Sequence, residues 1–155
     1  MYNAILIPTD GSSAAETAMP HALDLAGMYD ATLHVLYVVD TAAIDISLGT
    51  EQVDRIKEGR FGEMTELKAR ATEAVQRIAE PARERGLHVV ESVTAGSPHR
   101  QIVSYATDHD IDLIVMTSHG RTGVRRMLLG SVTERVVRLA EVPVLVVDVD
   151  DPEAG

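Results

Sequence analysis

The chain has 155 residues, of which 45% are hydrophobic and 25% charged, with a formal net charge of −10 and no cysteine. This is the composition of one ordinary globular domain able to bury a core; it excludes disulfides and thiolate metal centres, and its sign argues against general nucleic-acid binding, whose footprint is basic. No apolar run approaches the roughly 20 residues of a membrane helix, and no signal-peptide pattern precedes the first strand, so the expected setting is the cytoplasm, with no membrane partner.

Aromatic residues make up 3% of the chain, with Phe61 the single phenylalanine, so Val, Ile, Leu, Ala and Met must fill the interior. Residues 2–9 (YNAILIPT) read as a first strand ending at Pro8-Thr9-Asp10-Gly11, because proline cannot donate to a ladder and sits best at a strand's end. Ser13 and Glu16 have capping-box spacing. Ala15, Ala18, Met19, Ala22, Leu25 and Ala26 then recur as one helix face. Pro20 should bend that helix and Gly27 is its candidate stop. The second strand, 32–39 (TLHVLYVV), is apolar on both faces, as a central parallel strand should be.

Residues 40–59 show no clear period. A long helix is expected over about 60–80, with Met64, Leu67, Ala71, Ala74, Val75 and Ile78 on one face, Pro81 kinking or ending it and Gly86 closing it. The third strand is read over 87–93. Ser97-Pro98 reads as an N-cap followed by proline at the first helical position. A fourth strand is expected over 112–117, a fourth helix over about 131–140, and a fifth strand over 144–149 behind Pro143. Residues 150–155 (DDPEAG) read as a disordered tail.

Strands alternating with helices give a parallel sheet covered on both faces. The expected fold is therefore α/β, a single three-layer domain over residues 1–149, Rossmann-like, with strand order 3-2-1-4-5. Ligands of such sheets lie beyond the carboxyl ends of the strands, where the order reverses. With strands one and four as neighbours there, Asp10 and the loop after Thr117 face one crevice. The last strand would lie at a sheet edge, where bare N–H and C=O groups template association. A homodimer through Val144 to Val149 would cover it.

The stretch from Asp112 to Glu134 has the order strand, glycine-bearing loop, helix start. Helix-start amides lack partners inside the helix and attract anions, and glycines let a phosphate approach. Arg121, Arg125 and Arg126 add cations in the same loop, although three such residues are also what a solvated loop contains. Ser131 and Glu134 have capping-box spacing, which is compatible with phosphate binding at the same helix start. Asp10 is placed either to cap the first helix or to touch a ligand. His119 has no evident partner and reads as a polar loop residue, and the six histidines show no metal-ligand spacing.

Two segments resemble the universal stress protein family. One is AILIPTDGS, Ala4 to Ser12. The other is that family's nucleotide motif of glycine, two residues, glycine, nine residues, then Gly-Ser. Gly120 stands as the second glycine and Gly130-Ser131 close the motif, while Thr117 occupies the place of the first glycine. A β-branched residue there disfavours positive φ and adds bulk. The resemblance implies an ATP-binding protein, with Mg2+ or Mn2+ held through phosphate oxygens rather than by a dedicated metal site. It implies contacts from Pro8, Thr9 and Asp10 at the first strand, from Val38 and Met116 around adenine, and from Gly120, Gly130, Ser131 and Val132 at ribose and phosphates. Thr117, His119 and Arg121 complete the candidate site. It also implies a dimer in stress response or signalling, with slow or absent hydrolysis. A weak ATP phosphohydrolase and a dimeric interaction protein without nucleotide stay open as alternatives.

Overall fold

The computed structural model describes residues 1–41, 65–118 and 129–149. Its five strands are β1 (Ala4–Thr9), β2 (Thr32–Asp40), β3 (Val89–Gly96), β4 (Leu113–Thr117) and β5 (Val144–Val147). Its helices are α1 (Ser13–Glu16), α2 (Met19–Tyr29), α3 (Thr65–Glu84), α4 (Pro98–Asp108) and α5 (Ser131–Leu139). The strands form one parallel sheet in the order β3-β2-β1-β4-β5, the order expected from the sequence.

The period-two alternation of the strands divides the interior into two cores. Ile5, Ile7, Leu33, Val35, Leu113 and Val115 face α2 and α3. Leu6, Leu36, Ile114 and Met116 face α4 and α5, where Ile102, Tyr105, Ala106 and Val136 meet them. Alanines (Ala18, Ala22, Ala26, Ala71, Ala74, Ala79, Ala82) dominate the helical side of the first core. Their small side chains let helix and sheet approach closely, so a chain nearly without aromatics still fills its interior.

Several element boundaries differ from the sequence expectations, each for a local reason. The first helical segment is two helices, and Pro20 sits in the first turn of α2 instead of bending a longer helix; proline is tolerated there because that N–H would have no partner anyway. Gly27 lies inside α2 and does not stop it. The stop is Asp30, left-handed at φ 52° and ψ 45°, with the Ala31 amide bonded to the Ala26 carbonyl at 2.9 Å. Pro81 lies within α3, which runs on to Glu84. Gly86, at φ +80°, closes it with Gly86 N–H on the Arg83 carbonyl and Leu87 N–H on that of Ala82, the paired bonds of a Schellman ending. That turn takes up Leu87, so β3 starts later than expected, and pairing with β2 carries it to Gly96 opposite Asp40. The expected start of α3 at residue 60 lies outside the described residues, as do 42–59 and the tail. β5 ends at Val147, two residues early, and occupies a sheet edge.

Candidate functional site

The two central strands part company at their carboxyl ends. β1 and β4 pair only at Ile5↔Leu113 and Leu6↔Ile114, whereas β1 stays paired with β2 up to Thr9↔Tyr37 and β4 with β5 up to Thr117↔Val147. Beyond Leu6 and Ile114 each strand therefore follows its outer neighbour, and a crevice opens at the point where the strand order reverses. Pro8, expected to be the last residue of its strand, is the one before the last. It lies in the parted segment, where a residue without an N–H costs the β1–β4 ladder nothing.

One lip of the crevice is the turn after β1. Thr9 is buried, and its Oγ1 accepts the Gly11 N–H at 3.1 Å. Asp10 Oδ1 accepts the Ser12 N–H at 2.9 Å and also the Ser12 hydroxyl. Ser12 Oγ in turn accepts the Ala15 N–H at 3.2 Å and caps α1. The cap is thus Ser12 and not Ser13, which is already helical, and Asp10 orients the capping residue without capping the helix itself. Gly11 is at φ +80°, a backbone conformation that favours glycine. Arg77 of α3 donates to the Gly11 carbonyl at 3.1 Å and pairs with Glu73 at 2.7 Å and Glu16 at 3.7 Å. The turn is tied to α3 through a side chain that the sequence presents as an ordinary exposed helical arginine.

The other lip is the end of β4 with the start of α5. The Ser118 N–H meets the Val147 carbonyl at 2.9 Å, the Gly130 N–H meets the Ser118 carbonyl at 2.7 Å, and Thr133 Oγ1 donates to the Thr117 carbonyl at 2.7 Å. Ser118 Oγ donates to Asp148 Oδ1 at 3.0 Å and accepts the Val149 N–H at 3.2 Å. The chain thus leaves β4 at Ser118 and returns to it at Gly130. Gly130 is the N-cap of α5, with no side-chain cap. Ser131 is the first helical residue, so the expected Ser131–Glu134 capping box does not form; Glu134 pairs instead with Arg138 at 3.0 Å. First-turn amides of such a helix have no intrahelical acceptor, and their dipole attracts an anion.

Three of the expected apolar contacts share one face of the sheet. Met116 is buried in the α4/α5 core, and Val38 and Val132 pack at its margin. Thr117 follows Met116 in the strand, and alternation turns its side chain to the opposite face. The positive-φ non-glycine residues among those described are Asp30 and Asp110, so Thr117 does not occupy the left-handed region that would call for glycine. His119, Gly120 and Arg121 lie outside the described residues, as do Gly123, Arg125 and Arg126. Among the described residues no three His, Asp or Glu side chains gather to hold a metal ion, and no helix is long and apolar enough to cross a membrane. Sequence reading missed Ser12, Arg77, Ser118 and Thr133. Only Ser12 carried a local signal, a capping residue one place before Ser13.

Comparison with known proteins gives a consistent picture. Residues 1–148 match the profile of the universal stress protein family. The chain is 38% identical over 148 residues to universal stress protein MJ0531 of Methanocaldococcus jannaschii, covering 95% of this chain and 82% of that one. Protein MJ0577 of the same organism has a solved structure that superposes with a TM-score of 0.79 at 32% identity, covering 97% of this chain and 99% of that one. Two more distant structures share the fold. A universal stress protein in complex with cAMP has a TM-score of 0.66 at 23% identity, over 96% of this chain and 98% of that one. An Arabidopsis thaliana family protein with AMP bound has a TM-score of 0.69 at 17% identity, over 99% and 95%.

Proposed function

Because this chain belongs to the universal stress protein family, we propose that it is an adenine-nucleotide-binding module, ATP foremost, acting as a homodimer in cytoplasmic stress response or signalling. The observation that carries the proposal is the parting of β1 from β4, with the Thr9-Asp10 turn on one lip and the start of α5 on the other. The base lies against Val38, Met116 and Val132. Pro8, Thr9 and Asp10 line the near wall, and the phosphates lie against Gly130 and meet the first amides of α5 at Ser131 and Val132. His119, Gly120 and Arg121 complete the phosphate side, and Mg2+ or Mn2+ is carried on the phosphate oxygens. The cAMP and AMP held by two proteins of the same fold support an adenine ligand.

Thr117 in the place of a motif glycine does not count against binding, since its backbone is that of a strand and its side chain leaves the face that carries Met116. Hydrolysis is slow or absent in this reading. The dimer forms through β5, an edge strand with Leu145 exposed.

The test is ligand content followed by thermal shift. Nucleotide released from denatured protein should be adenine-based, and Mg-ATP at about a hundredfold its Kd should stabilise the fold by about 2.7 kcal/mol. Gly130→Val keeps an allowed backbone at φ −62° and ψ 154° but puts a branched side chain where the phosphates would sit. It should abolish the shift while circular dichroism stays native. A full shift in that variant would place the phosphates elsewhere.

A further inference from the structure

Among the described residues, the face of the sheet under α4 and α5 carries one polar group whose hydrogen bonding is left undone. Thr94 of β3 stands across the ladder from Val38, so the two side chains leave the sheet on the same side, about 5 Å apart. One step down the same row is Ser92, opposite Leu36, with its hydroxyl 3.2 Å from that of Tyr105. Thr94 Oγ1, by contrast, is shut off from solvent and has no hydrogen-bond partner among the described residues. The residue as a whole is only part-buried, so its exposure rests on other atoms. A sealed hydroxyl without a partner has given up its water and gained nothing in return, which is rare enough in folded proteins to need a reason. Valine would fill the same volume without that penalty.

We propose that Thr94 is a specificity-determining contact for the base of the bound nucleotide, a role that rests on the binding reading above. A turn about Cα–Cβ exchanges the hydroxyl with the methyl group and brings the oxygen to the polar edge of a heterocycle lying on Val38. The bound base supplies that hydroxyl's partner. Position fixes which part of the ligand is touched. β3 lies three strand spacings from β4, roughly 14 Å, so phosphates held at the start of α5 are out of its reach.

The experiment compares wild type, Thr94→Val and Thr94→Ser by calorimetric titration with ATP, AMP and inorganic tripolyphosphate, and by melting of the empty proteins. Thr94→Val should weaken ATP and AMP by the same factor, about tenfold for one lost hydrogen bond, and leave tripolyphosphate unchanged. Thr94→Ser, which keeps the hydroxyl, should stay within about threefold of wild type for every probe. Empty Thr94→Val should melt about 2–4 °C higher, since an unpaired buried hydroxyl has gone. This pairing of a more stable empty protein with a weaker complex is one that a merely structural threonine would not give. Equal ATP affinity in Thr94→Val, an equal loss in Thr94→Ser, a matching loss of tripolyphosphate, or a lowered melting point overturns the contact while leaving the nucleotide site standing. Wild-type protein that takes up no nucleotide overturns the binding reading and this contact together.

Discussion

Thr133→Val tests whether the crevice is built as described. Thr133 is 4% exposed, and its hydroxyl donates to the Thr117 carbonyl at 2.7 Å, joining the first turn of α5 to the last residue of β4. Valine keeps the shape and removes the donor. Taking a buried carbonyl's donor away costs about 1–3 kcal/mol, and near the middle of that range the melting point of a chain this long falls by about 4–8 °C. Thr133→Ser is the matched control, because it keeps the hydroxyl and loses one methyl, about 0.8 kcal/mol. Urea unfolding should show the midpoint falling further for valine than for serine, with an unchanged slope. The stabilisation by Mg-ATP should shrink in the valine variant and persist in the serine variant, because only the first frees the helix start that holds the phosphates. A serine variant as damaged as the valine one would mean that the methyl, not the hydrogen bond, matters. A valine variant as stable as wild type would remove the clamp from the account altogether.

Acid should weaken the fold through His34. Its ring is buried against Tyr105, with Nδ1 2.7 Å from the phenol oxygen and Ser92 beyond, and burial, with His109 second, holds its pKa below 6.5. The unfolded chain therefore binds the proton more readily, so this contribution is complete above about pH 6.5 and is lost progressively as pH falls below it. Urea midpoints between pH 7.5 and 5 should fall less steeply in His34→Gln than in wild type, and parallel curves would remove His34 as the cause. Asp110 holds a left-handed φ of 51° after α4, with the Ile111 amide on the Ala106 carbonyl at 2.9 Å. Asp110→Gly should raise stability by about 0.5–1 kcal/mol by relieving that backbone, and a loss in chemical denaturation would show that the carboxylate has a compensating role. Thr117→Gly should bind ATP as well as wild type or better, yet unfold about 1 kcal/mol more easily, because it puts glycine into a central strand; weaker binding in titration would make the threonine hydroxyl a ligand contact.

Legibility in the sequence differed between the sheet and the crevice. The strands could be read because a buried parallel strand must be apolar on both faces, and LIVM and VLVV satisfy that whatever surrounds them. Element ends were less legible. Asp30 and Asp110 close helices in a conformation usually given to glycine, whereas Gly27, the residue that looked like a stop, sits inside a helix. Both capping-box serines were misplaced by one residue, Ser13 for Ser12 and Ser131 for Gly130, whereas Ser97 is the N-cap of α4 as expected. A capping box is a spacing rule, and spacing alone cannot say which of two adjacent residues first takes helical torsions.

By itself the sequence determined the alternation of strands and helices, the two-faced burial of the central strands and a glycine-bearing segment before the fourth helix, since each follows from residue periodicity or from torsions that a residue type allows. The tertiary structure decided where β1 releases β4, that Arg77 anchors the Gly11 turn, that Thr133 fastens α5 to Thr117, and that Thr94 stands beside Val38 without a partner. Each of these joins residues 16 to 108 positions apart in the chain, and a hydrogen bond or a register between such residues exists only once the sheet has brought them together, so no local pattern can announce it.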